Sequence, residues 1–135
     1  MKRLLLILLA VQVGGCGAIS QQKTNALLKV SKPADWGVLD RNHESKERAA
    51  ILQELKDPDS AKFRFNVGRD VYQALSEPVL VWNSSVYVNA KNSFGGYTGE
   101  RAYVFIYKCP IGQTCELLNY ARPNSRYPDE LDWVK

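Results

Sequence analysis

The sequence predicts an α+β fold, one N-terminal helix packed on an antiparallel sheet of four or five strands, and three observations carry that expectation. Apolar residues recur at helical spacing between residues 42 and 56, the period falls to two from Phe63 onward, and turn-forming residues then divide the chain into short runs. At 135 residues, with 14 aromatics all placed after the first 15 positions, one domain with a modest core is what the chain can support.

Asp40 or Asn42 can cap the helix, Glu44 falls in its first turn, and Glu44 and Arg48 stand at the favourable i,i+4 spacing. Ala49, Ile51, Leu52 and Leu55 make its apolar stripe, while Lys46, Glu47, Gln53 and Glu54 make its wet side. Pro58 stops it just beyond Lys56. His43, at the polar start, reads as a solvated or capping side chain, since no Ser or Cys nucleophile is recognisably paired with it.

After the turn Asp57-Pro58-Asp59-Ser60, Phe63, Phe65 and Val67 alternate with Arg64 and Asn66, as a half-buried strand requires. Residues 79–82 and 85–90 flank Asn83-Ser84 and are expected to form a tight hairpin. Pro78 suits a strand start, 102–108 suits a central strand, and 116–120 follows it. Residues 68–77 fit a short strand, a helical turn or a loop. The tail after Arg122, with Pro123 and Pro128, reads as irregular, with Trp133 as its docking point.

The chain start carries a different message. Met1-Lys2-Arg3 is cationic, residues 4–11 are an unbroken apolar run, and Val13-Gly14-Gly15 precedes Cys16, which is the anatomy of an export signal. A spanning helix needs about 20 apolar residues, and this run is far shorter. Val13-Gly14-Gly15-Cys16 resembles the lipobox of bacterial lipoproteins. That resemblance implies that residues 1–15 are removed and that Cys16 is acylated, palmitate included, to become the mature N-terminus. Each buried methylene contributes about 0.8 kcal/mol, so several acyl chains would hold the protein on a membrane permanently. Gly17 stands where Asp is the usual inner-membrane retention signal in enterobacterial lipoproteins, which points to the outer membrane, facing the periplasm.

Residues 16–34 are then the lipidated cysteine and a tether rich in Ser, Gln, Lys, Thr and Asn, and residues 35–135 the single domain. Fully extended, the tether could reach about 55 Å, unless Leu27, Leu28 and Val30 dock on the domain. Loss of Lys2 and Arg3 lowers the formal charge from +4 to +2. With no dense Lys/Arg run, nucleic-acid binding has no electrostatic footprint. With Cys16 committed to lipid, Cys109 and Cys115 remain, and an oxidising periplasm should pair them as one structural disulfide. Their spacing is not Cys-x-x-Cys, and a chain whose one histidine is His43 lacks further ligands for a metal site.

Two segments, LKDPDSAKF at 55–63 and VNAKNSFGGYTG at 88–99, resemble the paired signatures of a widespread group of small exported bacterial proteins of unknown function, many of them predicted lipoproteins. Some members of that group carry a cysteine just before the second motif, where Ser84-Ser85-Val86-Tyr87 here has none, so no disulfide pattern transfers. The resemblance implies an envelope location and a small shared fold, and no activity.

In the second motif the chain reverses through Asn92-Ser93-Phe94-Gly95-Gly96 before Tyr97. One reading is a hairpin loop whose Gly, Asn and Ser serve geometry while Phe94 and Tyr97 pack on the sheet edge. The other is a protruding recognition loop of exposed aromatics and amides, with Asn89 and Lys91 as its polar floor. The candidate interaction residues are therefore Asn89, Lys91, Asn92, Ser93, Phe94 and Tyr97.

No carboxylate pair in a known motif, no Ser-His-acid set and no phosphate loop is present, and neither an enzyme nor a cofactor is expected. The expected role is a non-enzymatic interaction module whose partners are the membrane, through Cys16, and another envelope protein. Alternatives are a periplasmic inhibitor of a lysozyme-like enzyme and a prophage-type lipoprotein that shields a surface receptor. Residues 93–97 are loosely similar to an inhibitor loop, yet a +2 chain is poorly matched to lysozymes, which are commonly basic.

Overall fold

The computed structural model describes residues 16–73, 77–124 and 131–134. The expected signal, with Val13-Gly14-Gly15, lies outside the described residues. In order come α1 (Cys16–Val30), a 3-10 turn (Pro33–Trp36), α2 (His43–Leu52), a second 3-10 turn (Pro58–Ser60), β1 (Lys62–Gln73), β2 (Pro78–Asn89), β3 (Arg101–Lys108), β4 (Glu116–Pro123) and β5 (Leu131–Val134). The five strands form one antiparallel sheet in sequence order. The class is α+β, and Cys109 is disulfide-bonded to Cys115.

Five strands are present among the described residues, though their division differs from the sequence expectation. Residues 79–82 and 85–90 belong to one strand, because Asn83 and Ser84 continue the ladder opposite Gly68 and Val67. A two-residue hairpin of the common type needs positive φ, and among the described residues only glycines adopt it. Ser84 is fully buried, and its Oγ donates to Glu47 Oε2 at 2.8 Å. The ambiguous segment after Val67 resolves as strand through Gln73, paired along its length with β2. Residues 131–134, read as irregular, pair with β4 and supply backbone partners that its outer edge would otherwise lack, with Trp133 opposite Ala121.

The helices differ from the expectation as well. Residues 16–30, read as a tether, are helical; Lys23 Nζ meets Glu77 Oε1 at 2.7 Å, and Thr24 Oγ1 lies 3.1 Å from Gln73 Oε1. The second helix ends at Leu52, not Lys56, because the N–H groups of Glu54 and Leu55 bond to the carbonyls of Ile51 and Leu52 three residues back, tightening the last turn. Glu47, placed on the wet side from its charge, is 1% exposed, whereas Ala49 from the expected stripe faces water.

Ile51 lies in one buried cluster with Val86 and Val88 of β2 and with Tyr103, Phe105 and Tyr107 of β3. Phe105 and Tyr120 stack at 4.7 Å, which carries the cluster onto β4. On the flank, Trp36 is buried; its Nε1–H donates to Asp70 O and its carbonyl accepts from Trp82 Nε1, each at 3.0 Å. Gly37 follows at φ 63°, against Cys109 O, where a Cβ would collide. Tyr72 OH accepts from Asn119 Nδ2 at 2.9 Å, joining β1 to β4. Three strand spacings would separate those strands by about 14 Å in a flat sheet, so the sheet curls at this end.

Burial raises the Glu47 carboxyl above its usual range, and the Ser84 hydrogen bond only partly offsets this. Burial, followed by the neighbouring Glu47 charge, likewise pushes the Tyr107 phenol up. For Glu47 the folded form holds its proton more tightly than the unfolded chain, so this contribution to stability is complete below the ordinary glutamate value of 4.5 and is lost as pH rises through the raised pKa. Denaturant unfolding of the native chain and of Glu47→Gln between pH 4 and pH 8 should show the amide variant gaining in relative stability as pH rises. Identical pH dependence of the two would contradict the assignment.

Candidate functional site

The β2–β3 connection forms a loop that braces itself. Lys91 and Tyr97 pair as an isolated bridge, Asn92 N–H donates to Gly96 O at 2.9 Å, and Gly95 N–H donates to Asn92 O at 3.0 Å. The Asn92 side chain closes the turn, its Oδ1 accepting from the N–H groups of Phe94 at 2.9 Å and Gly96 at 3.1 Å. Gly95, at φ 82°, takes the left-handed conformation that the reversal needs.

The ring of Phe94 makes none of these bonds. Its side chain is 97% exposed, and Tyr97 is 44% exposed, so the reading in which Phe94 packs on the sheet edge does not hold. Tyr97 is held at its far end, where its OH donates to Ser60 O at 3.2 Å. Lys91 N–H donates to Ser60 Oγ at 2.9 Å, so Ser60 takes a bond from each side of the loop. The segments 55–63 and 88–99 thus meet in space, through Ser60 and through the pairing of Lys62 with Asn89 and Phe63 with Val88. Two cations flank the Tyr97 ring, Lys62 at 4.7 Å and Lys91 at 5.7 Å from its centroid.

Beside the loop, beyond the end of α2, lies an open cleft of about 320 Å³. Val88 and Tyr103 form its floor, Leu55 and Pro123 are apolar walls, and Asn92, Ser93 and Thr98 present polar groups. Lys56, Lys91 and Arg101 line it as cations. Glu54 also lines it, but its Oε1 accepts from Tyr120 OH at 2.9 Å, and burial together with that bond raises the Tyr120 phenol. Close by, Glu100 is bound by Arg64 through two contacts of 2.7 and 3.2 Å, which hold its carboxyl below the usual range.

Of the residues singled out from sequence, Lys91, Asn92 and Ser93 line the cleft, while Phe94 and Tyr97 belong to the loop above it. Asn89 alternates with Val88 along β2 and stays outside the cleft; its Oδ1 is buried with no hydrogen-bond partner among the described residues. Cys16 begins α1, and the Cys109–Cys115 loop is at the opposite end of β3. Sequence reading missed Lys56, Lys62 and Arg101, whose part depends on long-range register; Ser60 lay inside the first motif without a sign of what it meets. His43 Nδ1 lies 2.8 Å from Asp40 O, a local contact at the start of α2. Among the described residues no group of three or more His, Cys, Asp or Glu side chains could hold a metal ion, and no helix is long and apolar enough to cross a membrane.

No family model, curated protein or solved structure matches this chain.

Replacing Asn92 by Ala removes the acceptor for two loop amides while leaving the strands paired. Amide exchange at Phe94 and Gly96 should then quicken at least about ten-fold, the equivalent of roughly 1.4 kcal/mol, with the β2 and β3 amides unchanged. Unaltered protection at these two amides would show that the loop is held by other means.

Proposed function

We propose that this protein is a lipid-anchored, non-enzymatic interaction module of the bacterial cell envelope, held to the outer membrane through Cys16 and binding another envelope protein with the 91–97 loop. One observation carries the reading: the ring of Phe94 stands almost fully in water on a loop whose shape is secured by backbone bonds and Asn92, without that ring. Burying such a ring on a partner would contribute about 1.5–3 kcal/mol, and a braced loop has little conformational freedom left to lose on binding. Tyr97, fixed by Ser60 and flanked by cations, adds an amphipathic surface next to it.

The arrangement of the sheet supports the same reading. The α1 helix meets the fold at Gln73 and Glu77, and β2 then runs 12 residues before the loop begins, a span of about 40 Å. With Cys16 at a membrane, the loop is presented from the far end of the domain. The cations around the cleft disfavour an inhibitor of a basic lysozyme, since like charges would face each other.

Two variants separate anchoring from recognition. Cys16→Ser should move the protein from the membrane to the soluble fraction and abolish mass-spectrometric detection of acylation; unchanged membrane association would remove the lipid anchor from the reading. Phe94→Ala should lose the partner recovered by chemical cross-linking in intact cells, while its unfolding midpoint stays within about 2 °C of the native chain. Retention of that cross-link would sink the role given to the loop.

A further inference from the structure

We infer that the cleft beside the loop binds carboxylate groups of an acidic peptide segment on the partner, an inference that rests on the interaction reading and specifies its chemistry. Three cations line the cleft, Lys56, Lys91 and Arg101. The ion pairs among the described residues are Lys23 with Glu77, Lys46 with Asp40 and Arg64 with Glu100, and none involves these three. Arg101 is half-buried, so it gives up part of its hydration, and among the described residues it receives no carboxylate in an ion pair in return. Glu54 is the acid in the described lining and its Oε1 accepts from Tyr120 OH, so three cations face one carboxylate there. Asp57 and Asp59 occupy the neighbouring turn but do not line the cleft.

The shape selects among anions. The lining combines these cations with an aliphatic and aromatic floor, the buried Val88 and Tyr103, and with the amide and hydroxyl groups of Asn92, Ser93 and Thr98. A small symmetrical oxyanion would leave that floor uncovered. A peptide carrying carboxylates can cover it with backbone and methylenes while its charges reach the cations, and its amides match the polar wall. Lys62, beside Tyr97, extends the positive field toward the loop and favours approach of an acidic segment from that side. The ring of Phe94 lies outside the cleft lining, which leaves the two contributions separable.

The test uses the full chain, isotopically labelled in detergent micelles, and three probes: an octapeptide of alternating Gly and Glu with an amidated end, a Gly/Ala octapeptide with a free C-terminal carboxylate, and inorganic phosphate. Saturable amide shifts at Val88, Asn92, Thr98 and Arg101 with the first probe identify side-chain carboxylates; the same shifts with the second identify a chain terminus. The first result supports the proposal, provided that affinity falls about ten-fold or more in Arg101→Glu and also in the double variant Lys56→Glu/Lys91→Glu, and that Ile111→Ala, in the exposed loop at the other end of β3, binds the peptide as the native chain does; shifts with the second probe alone would overturn it. Phosphate binding as tightly as both peptides, no shifts at these amides, or equal binding by the charge-reversed variants would overturn it. Because the peptide assay does not pass through Phe94, its failure leaves the loop result standing, and loss of the loop result leaves the peptide assay interpretable.

Discussion

The hydrogen bond from Ser84 to Glu47 fixes where α2 meets the sheet, and the position of the site follows from it. A carboxylate taken out of water needs a partner, and Ser84 is held at one place on the buried face of β2, between Trp82 and Val86. Glu47 can meet it only if the helix lies with Ile51 against the cluster of Val86, Phe105 and Tyr107. Hydrophobic packing alone is tolerant of small sliding, whereas a buried polar pair is not. With that register set, the chain leaving α2 brings Glu54 to Tyr120 and Leu55 and Lys56 to one side of the cleft. Six residues after Leu52 the second 3-10 turn begins, delivering Ser60 to the loop.

The loop and the cleft divide the work of recognition. Asn92 and Gly95 give the reversal its shape, and Ser60 ties both sides of it to the domain, so the bonds that hold the loop use neither the ring of Phe94 nor the side-chain charges of Lys56 and Arg101. Residues spared from structural duty, kept exposed on a rigid support, are what a binding surface requires. The opposite end of the sheet holds the contacts to α1 and the disulfide loop, with Gly37 packed against Cys109.

Much of the sheet was legible because alternation is a local signal. Phe63, Phe65 and Val67 are strand residues as their spacing requires, and 102–108 lies within the central strand of the sheet. Apart from the end of α2, which local hydrogen bonds tighten, the failures share a cause, since each depended on a partner distant in sequence. Asn83-Ser84 resembled a turn because nothing nearby announces that Glu47 will receive the serine hydroxyl. Glu47 resembled a surface residue for the same reason. The pairing of 131–134 depends on an edge left open by β4, and the helicity of 16–30 accompanies contacts to Gln73 and Glu77. In the site, composition pointed to the loop but could not decide between a packed and an exposed Phe94, because the decision lies in the two amides bound by Asn92. The cleft was invisible, as Lys56, Lys91 and Arg101 are brought together only by the strand register and the end of α2.

A photoreactive phenylalanine analogue placed at position 94, and in a separate protein at Ile111 in the exposed loop at the other end, puts the claim to its most direct test. Both sites are open to water, so intrinsic reactivity does not favour either. Irradiation of living cells should give one discrete protein adduct from position 94, weakened by Arg101→Glu in the same chain, and no such adduct from position 111. A discrete adduct from 111 with none from 94 would contradict the reading of the loop as the recognition surface.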